Sequence, residues 1–356
     1  MRSLKSTLLI AGDKLKVSHK TYNLKFKHPF GISRGTKTHQ PSLVVALEHL
    51  GWKGYGEAPA ISYYDITVEK MVEDLERKKQ FVEKFAFTEP DRYWHYLHHL
   101  FPNNPFLVCA LDMAAWDLFG KIKGRPLKEL WKTEHPLQTI TDYTIGIDTI
   151  EKMVEKMQEK PWPIYKIKLG TDHDIAIVRA LRNATNSLIR IDANAAWKAE
   201  EALEKINVFK DLGVEFIEQP LAKDDWEGMK YLFQYSPLPL IADESCVKEQ
   251  DVEKCHNYFH GINIKLTKCS GITPALRMIK NARELNMKVM VGSMNESTLG
   301  SAAIAHLMPQ VDFADLDGPL LLEEDIATGL MYHCDGRVET TNEPGLGVQY
   351  TGLYNK

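Results

Sequence analysis

The chain has 356 residues, 44% hydrophobic and 26% charged, a balance that fits a folded globular protein and excludes a disordered one. Its formal net charge of −4 excludes the basic footprint of a nucleic-acid binder, and no apolar run approaches the roughly 20 residues needed to span a bilayer. The length suits one large barrel with an appended domain, or two ordinary domains.

The N-terminus starts basic and carries a short apolar patch, LLIAG, which is too brief for a signal sequence and reads as the entry to a first strand. Strand-rich segments follow at Tyr22–Phe26 and Ser42–His49, separated by PFGISRGTKTHQPS, whose Gly, Ser and Thr content predicts a mobile loop. Helical patterns at Thr67–Phe85 and Pro105–Phe119 complete a separate α+β domain over residues 1–125. From about residue 140 short apolar strands alternate with amphipathic stretches such as AEEALEKINVFKDLG and GITPALRMIKNARELN. The strands are Tyr143–Ile147, Tyr165–Leu169, Leu188–Asp192, Val214–Glu218, Leu238–Asp243, Gly261–Leu266, Lys288–Gly292 and Phe313–Asp317. Eight strands alternating with helices predict an α/β parallel barrel over residues 126–319. Residues 320–356 contain no further strand–helix unit and are expected to return to the first domain. Five cysteines, an odd number without a CxxC pair, read as buried or half-buried small side chains in a reducing cytoplasm.

Charged residues recur at the C-terminal ends of consecutive barrel strands: Lys168, Asp192, Glu218, Asp243 and Lys268, in steps of 24, 26, 25 and 25 residues. One βα unit has about that length, so each charge falls on a neighbouring strand at the catalytic rim. An Asp at a strand end often serves only as a helix cap, but capping does not require equal height on successive strands. Asp192, Glu218 and Asp243 crowded together repel one another unless a cation neutralises them. An all-oxygen donor set without His or Cys suits a hard ion, most simply Mg²⁺.

Lys168 and Lys268 flank these strands, placing two ammonium groups on opposite sides of whatever the metal holds. Proton abstraction next to a carboxylate needs the developing charge stabilised and a base whose pKa is lowered towards neutrality. The metal and Lys166, two residues before Lys168 on the same strand face, are expected to provide that lowering. Salt-bridge roles for Lys166 and Lys168 are the alternative. Lys265 is a rival for the second base, but lies deeper in its strand than Lys268.

Several stretches together resemble the enolase superfamily and, within it, the muconate-cycloisomerase-like branch. They are G-Y-G-E at Gly54–Glu57, K-x-K at Lys166 and Lys168, and D-A-N at Asp192–Asn194. E-Q-P at Glu218–Pro220, A-D-E-S at Ala242–Ser245 and I-K-L-T-K-C-S-G-I complete the set, which covers nearly the whole chain. The resemblance implies a modified (β/α)7β barrel under an α+β capping domain. It also implies Mg²⁺ on Asp192, Glu218 and Asp243, with Lys168 and Lys268 as opposed acid/base groups. The mandelate-racemase-like branch would carry a histidine on the seventh strand, where MKVMVGS has none.

Within the branch, Asp315-Leu316-Asp317 resembles the D-x-D by which dipeptide epimerases hold the substrate's free α-ammonium. Taken alone, Asp317 also suits a cap on the Gly318-Pro319 turn. Thr144 resembles a substrate-contacting residue of the family, and Lys166 is grouped with it. In relatives acting on Ala-Glu a basic residue on the 29–42 segment faces the glutamyl carboxylate; Lys37 stands there where arginine is more usual, with Arg34 close by. The expectation is therefore a cytoplasmic isomerase that epimerises dipeptides, L-Ala-L-Glu and its L-Ala-D-Glu epimer first, in the recycling of cell-wall peptides. No nucleic-acid or membrane partner is expected, and self-assembly into a homo-oligomer is compatible with the sequence. The alternatives are an N-acylamino-acid racemase or o-succinylbenzoate synthase of the same branch, and a non-catalytic relative acting as a binding or structural protein.

Overall fold

The computed structural model describes residues 14–133 and 135–353; the LLIAG reading lies outside them. Three antiparallel strands open the chain, β1 (Lys16–Ile32), β2 (Gly35–His49) and β3 (Trp52–Pro59), in the order β1-β2-β3. The segment predicted as a mobile loop is instead the closed end of a hairpin, in which Phe30 pairs with Lys37 and Ile32 with Gly35. Its Gly, Ser and Thr residues serve a two-residue turn at Ser33-Arg34, and Gly35 takes a φ of 138° that a side chain would resist.

Helices α1 (Val68–Lys84), α2 (Pro90–Leu100) and α3 (Pro105–Lys123) cover this sheet. Thr67 caps α1 through the Lys70 amide, and Asn104 caps α3 through the Leu107 amide. α2 is absent from the sequence reading because its three histidines and Arg92 break the apolar pattern, yet Tyr93, Trp94 and Leu97 are buried. Leu43, Val45 and Leu47 meet Met71, Leu75, Leu107 and Leu111 in this domain's own core. The G-Y-G sequence brings β3 directly onto the α3 backbone. A Cβ at Gly54 would lie 2.2 Å from Ala114 O, and one at Gly56 2.0 Å from Ala110 O.

After α4 (Leu127–Leu130) the barrel strands are β4 (Tyr143–Ile145), β5 (Ile164–Lys168), β6 (Leu188–Asp192), β7 (Val214–Glu218), β8 (Leu240–Ala242), β9 (Gly261–Ile264), β10 (Lys288–Gly292) and β11 (Phe313–Asp315). Between them run α5 (Ile150–Glu159), α6 (Asp174–Ala184), α7 (Ala199–Asp211), α8 (Trp226–Tyr235), α9 (Glu249–Cys255), α10 (Leu266–Cys269), α11 (Ile272–Glu284) and α12 (Thr298–Ala305). All eight strands are parallel neighbours in chain order, and a parallel bridge from Thr141 to Ala314 closes the ring. Phe216, Ile241 and Met290, backed by Phe313, fill its floor, and the Arg190 guanidinium lies over both phenyl rings.

The hairpin root rests on the first barrel loop. Gly31 accepts the Ile147 amide at 2.9 Å, and a Cβ there would meet Ile147 O at 2.3 Å. After α13 (Gly318–Leu321) the chain runs back along the first domain. Glu323 N–H donates to Lys25 O and Leu346 N–H to Asp117, and the Tyr350 hydroxyl meets that of Tyr22. Among the described residues no helix is long and apolar enough to cross a membrane.

Candidate active site

Strand pairing sets the rim directly: Lys168 pairs with Asp192, and Asp192 with Glu218. Asp243 follows β8, and the Gln219 side chain fixes it. Gln219 Oε1 accepts the amides of Asp243 and Ser245, while its Nε2 donates to Ser245 Oγ and Leu221 O. This is the local reason for E-Q-P beside A-D-E-S. Gln219 and Asn194, each just past a carboxylate, adopt positive φ of 36° and 46°, backbone strain of the kind concentrated at functional sites.

Asp192, Glu218 and Asp243 are buried and offer carboxylate oxygens that all lie within 4.8 Å of one another. Despite burial, Lys168 and Lys166 hold Asp192 well below the usual carboxylate range, and Lys265 and Lys268 do the same for Asp243. Burial and the Asp192 charge push Glu218 up to about 7. Its Oε2 lies 2.7 Å from Lys166 Nζ yet outside hydrogen-bonding geometry, leaving a buried oxygen without a donor. Three convergent hard donors, one of them unsatisfied, fit a divalent cation such as Mg²⁺.

Lys166 is fully buried, 2.7 Å from Asp315 Oδ2 and 3.2 Å from Asp192 Oδ2; burial opposes its charge, but these carboxylates keep it firmly protonated. Lys168 reaches Asp192 Oδ2 at 2.6 Å and lines the cavity above the carboxylates. Lys268, expected to face it, does not reach that cavity. It sits on α10, beyond the strand, and its enclosed ammonium donates to Asp243 Oδ1 and O, both at 2.5 Å, and to Cys246 O and Asn263 O. With every direction taken, it is an internal anchor. Lys265 lines the cavity instead, 2.7 Å from Asp243 Oδ2. At Lys265 burial opposes the charge, but Asp243, Glu218 and Asp192 outweigh it and hold the ammonium above its ordinary value. The same carboxylates, once shared with a divalent cation, hold that proton less strongly.

Asp315 and Asp317 also line the cavity, with Thr144. The Asp317 carboxylate does not cap α13; it turns across the barrel seam to accept the Thr144 amide at 2.5 Å. Burial and the neighbouring Asp315 push it up to about 7. From the hairpin, Lys37 reaches the same cavity, hydrogen-bonded to Gln40 Oε1 at 2.5 Å. Burial brings its ammonium down to about 8. Arg34 is tied to Glu244 and stacks 4.0 Å over Tyr63, joining the hairpin tip to the barrel rim.

A further set of residues carries no strand-end signature. Glu57, from G-Y-G-E, is buried and accepts from Ser42 Oγ, from the N–H and Oγ of Ser297, and from Gly300 N–H. It thereby caps α12 from the other domain and braces Ser293–Asn295, which form a cavity wall. Three of these bonds come from the start of a helix 240 residues away, a contact that leaves no trace in local sequence pattern.

Residues 148–352 match the enolase C-terminal domain-like family, and residues 15–131 match the N-terminal domain of the mandelate racemase/muconate lactonizing enzyme family. An L-Ala-D/L-amino acid epimerase from Flavobacterium johnsoniae is 52% identical, over 94% of this chain and 99% of its own. A substrate-liganded L-Ala-D/L-Glu epimerase from Bacillus subtilis superposes with a TM-score of 0.90 at 27% identity, covering 95% of this chain and 99% of that one. A dipeptide epimerase from Enterococcus faecalis, complexed with Mg and L-Leu-L-Tyr, gives 0.87 at 31%, covering 95% and 100%. The barrel, its carboxylate triad and its capping domain thus place the chain in the mandelate racemase/muconate lactonizing enzyme family of the enolase superfamily.

Proposed function

We propose that this chain is a Mg²⁺-dependent dipeptide epimerase that inverts the α-carbon of the second residue. The observation that carries this reading is the pair Lys168 and Lys265. Lys168 ends β5 and Lys265 directly follows β9, and at one cavity each is hydrogen-bonded to a different outer carboxylate of the triad.

Asp192, Glu218 and Asp243 would hold the cation, which when bound offsets the charge that develops on a substrate carboxylate. Only the C-terminal residue of a dipeptide has its carboxylate free, so its α-carbon is the one presented to the lysines. One lysine, freed of its proton, accepts the α-hydrogen; the other, protonated, returns a proton to the opposite face. Inversion follows because donor and acceptor lie on different sides of the planar intermediate. Lys265 takes the role expected for Lys268, which is the anchor that fixes Asp243.

Asp315 and Asp317 would receive the α-ammonium at the cavity wall, with Thr144 holding Asp317 in place. Two buried carboxylates there favour a cationic amine over the neutral amide of an N-acylated amino acid. Lys166 keeps Asp315 ionised, and Lys37 offers a cation to the second residue's side chain. Relatives named for L-Ala-Glu and for L-Ala-amino acid substrates both support L-Ala-L-Xaa dipeptides, with L-Ala-L-Glu among them. A place in cytoplasmic recycling of cell-wall peptides agrees with that class and with five unpaired cysteines. A boundary near residue 125 is supported by a core built wholly from residues 15–118, whereas Leu322, Ile326, Ala327 and Leu346 beyond residue 319 pack into the barrel core together with Tyr22, Leu24 and Phe26. The test is turnover of an L-Ala-L-Xaa library beside its N-acetylated and N-succinylated counterparts. Free dipeptides should epimerise; turnover of the acylated set alone would contradict the proposal.

A further inference from the structure

We propose that the site, taken as a dipeptide epimerase, also accepts dipeptides whose second side chain is lengthened by a further amide-linked residue. The extension would lie in a cleft between the hairpin and residues 60–69. The cavity directly above the carboxylate triad measures only about 110 Å³, less than the roughly 300 Å³ at which ordinary ligand sites begin. A cleft of about 520 Å³ adjoins it. Phe30, Ile32, Arg34, Lys37, Ile61 and Tyr63 line both, so the two spaces adjoin along a shared wall.

The direction of the extension follows from the other substituents of the reacting carbon. The carboxylate is committed to the triad, the two faces to Lys168 and Lys265, and the amine end to Asp315 and Asp317. The side chain is left the remaining direction, towards the hairpin and the cleft. At the crossing stands Lys37, with no carboxylate within ion-pair distance among the described residues and only the neutral Gln40 as acceptor. An amide carbonyl or carboxylate of a long side chain would satisfy it. Beyond it, Ile32, Ile66 and Val68 offer apolar wall to whatever follows. Arg34, which borders both spaces, is held by Glu244 and Tyr63.

The experiment measures kcat/KM for three substrates with Mg²⁺: L-Ala-L-Ala, L-Ala-L-Glu, and L-Ala-L-Glu whose γ-carboxylate forms an amide with alanine. Each is tested on the wild type and on Ser62→Trp, which fills the cleft from an exposed wall position outside the inner cavity. The extended substrate should stay within tenfold of L-Ala-L-Glu in the wild type. In Ser62→Trp, its kcat/KM relative to L-Ala-L-Ala should fall at least tenfold. A larger loss in the wild type, or an unchanged ratio in the variant, overturns the proposal while leaving the epimerase reading intact. Absence of turnover for all three overturns both.

Discussion

Lys265 and Lys268 grip opposite oxygens of one carboxylate, Asp243: Lys265 Nζ lies 2.7 Å from Oδ2 and Lys268 Nζ 2.5 Å from Oδ1. Only Lys265 borders the cavity. Lys268→Met should therefore act on the fold, removing one partner of a buried ion pair at a cost of about 3–5 kcal/mol. Urea unfolding reads that cost directly. Residual activity in this variant should still run in both directions, since neither proposed base is lost.

Glu218 is the middle ligand of the triad and the one whose Oε2 lacks a donor. Glu218→Gln should lower kcat by more than the ~100-fold that losing even an outer partner of a metal ligand costs. Chelation of the wild type should do likewise, with recovery on adding Mg²⁺. Full activity in excess EDTA would remove the metal from the account.

Asp317→Asn keeps an oxygen for the Thr144 amide but removes the charge facing the substrate amine. Losing one partner of a desolvated charge pair costs about 2–5 kcal/mol, so kcat/KM should fall well over tenfold. Acetylating the dipeptide amine should cause a similar loss in the wild type. The two losses should not add, because both delete one contact.

His306 supplies a pH dependence away from the chemistry. It is buried, its Nδ1 accepts the Lys128 amide, and its Nε2 is 3.1 Å from Leu346 O. Burial lowers its pKa from 6.5 to about 4. The unfolded chain then binds the extra proton first as pH falls, so this contribution is intact above pH 6.5 and drains away towards pH 4. The loss reaches about 2 kcal/mol by pH 5. Denaturant unfolding at pH 7.5 and 5.0 should show the change in stability to be about 2 kcal/mol less favourable in the wild type than in His306→Gln, the subtraction removing the carboxylates that titrate over the same range.

The barrel was legible because each βα unit carries its own signal. Leu188–Asp192, Val214–Glu218 and Lys288–Gly292 match the sequence reading residue for residue. The triad was legible for the same reason, since strand pairing converts a spacing of about 25 residues into equal height. Lys268, expected at the cavity, falls outside it because spacing counts residues and not directions. In β9 alternate residues point inward, Asn263 donates to Glu218, and the next inward position is Lys265. Lys268 lies three residues further, on a helical turn whose backbone returns it to Asp243. Counting by two from Asn263 would have found the lining lysine. Glu57 was visible only as the end of the G-Y-G-E stretch; its contact with Ser297 and the Arg34–Glu244 pair were not legible, because each depends on how two domains dock.

The central claim is that Lys168 and Lys265 serve opposite faces of one α-carbon. It is tested most directly by incubating Lys168→Ala and Lys265→Ala with each epimer of L-Ala-Glu in D₂O with Mg²⁺, following the glutamyl α-proton by ¹H NMR. Neither variant should interconvert the epimers, with losses of about 10²–10⁴-fold. Each should still exchange the α-proton of one epimer, and the two variants should exchange different ones. Interconversion by either variant at the wild-type rate, or exchange of the same epimer by both, would contradict the account.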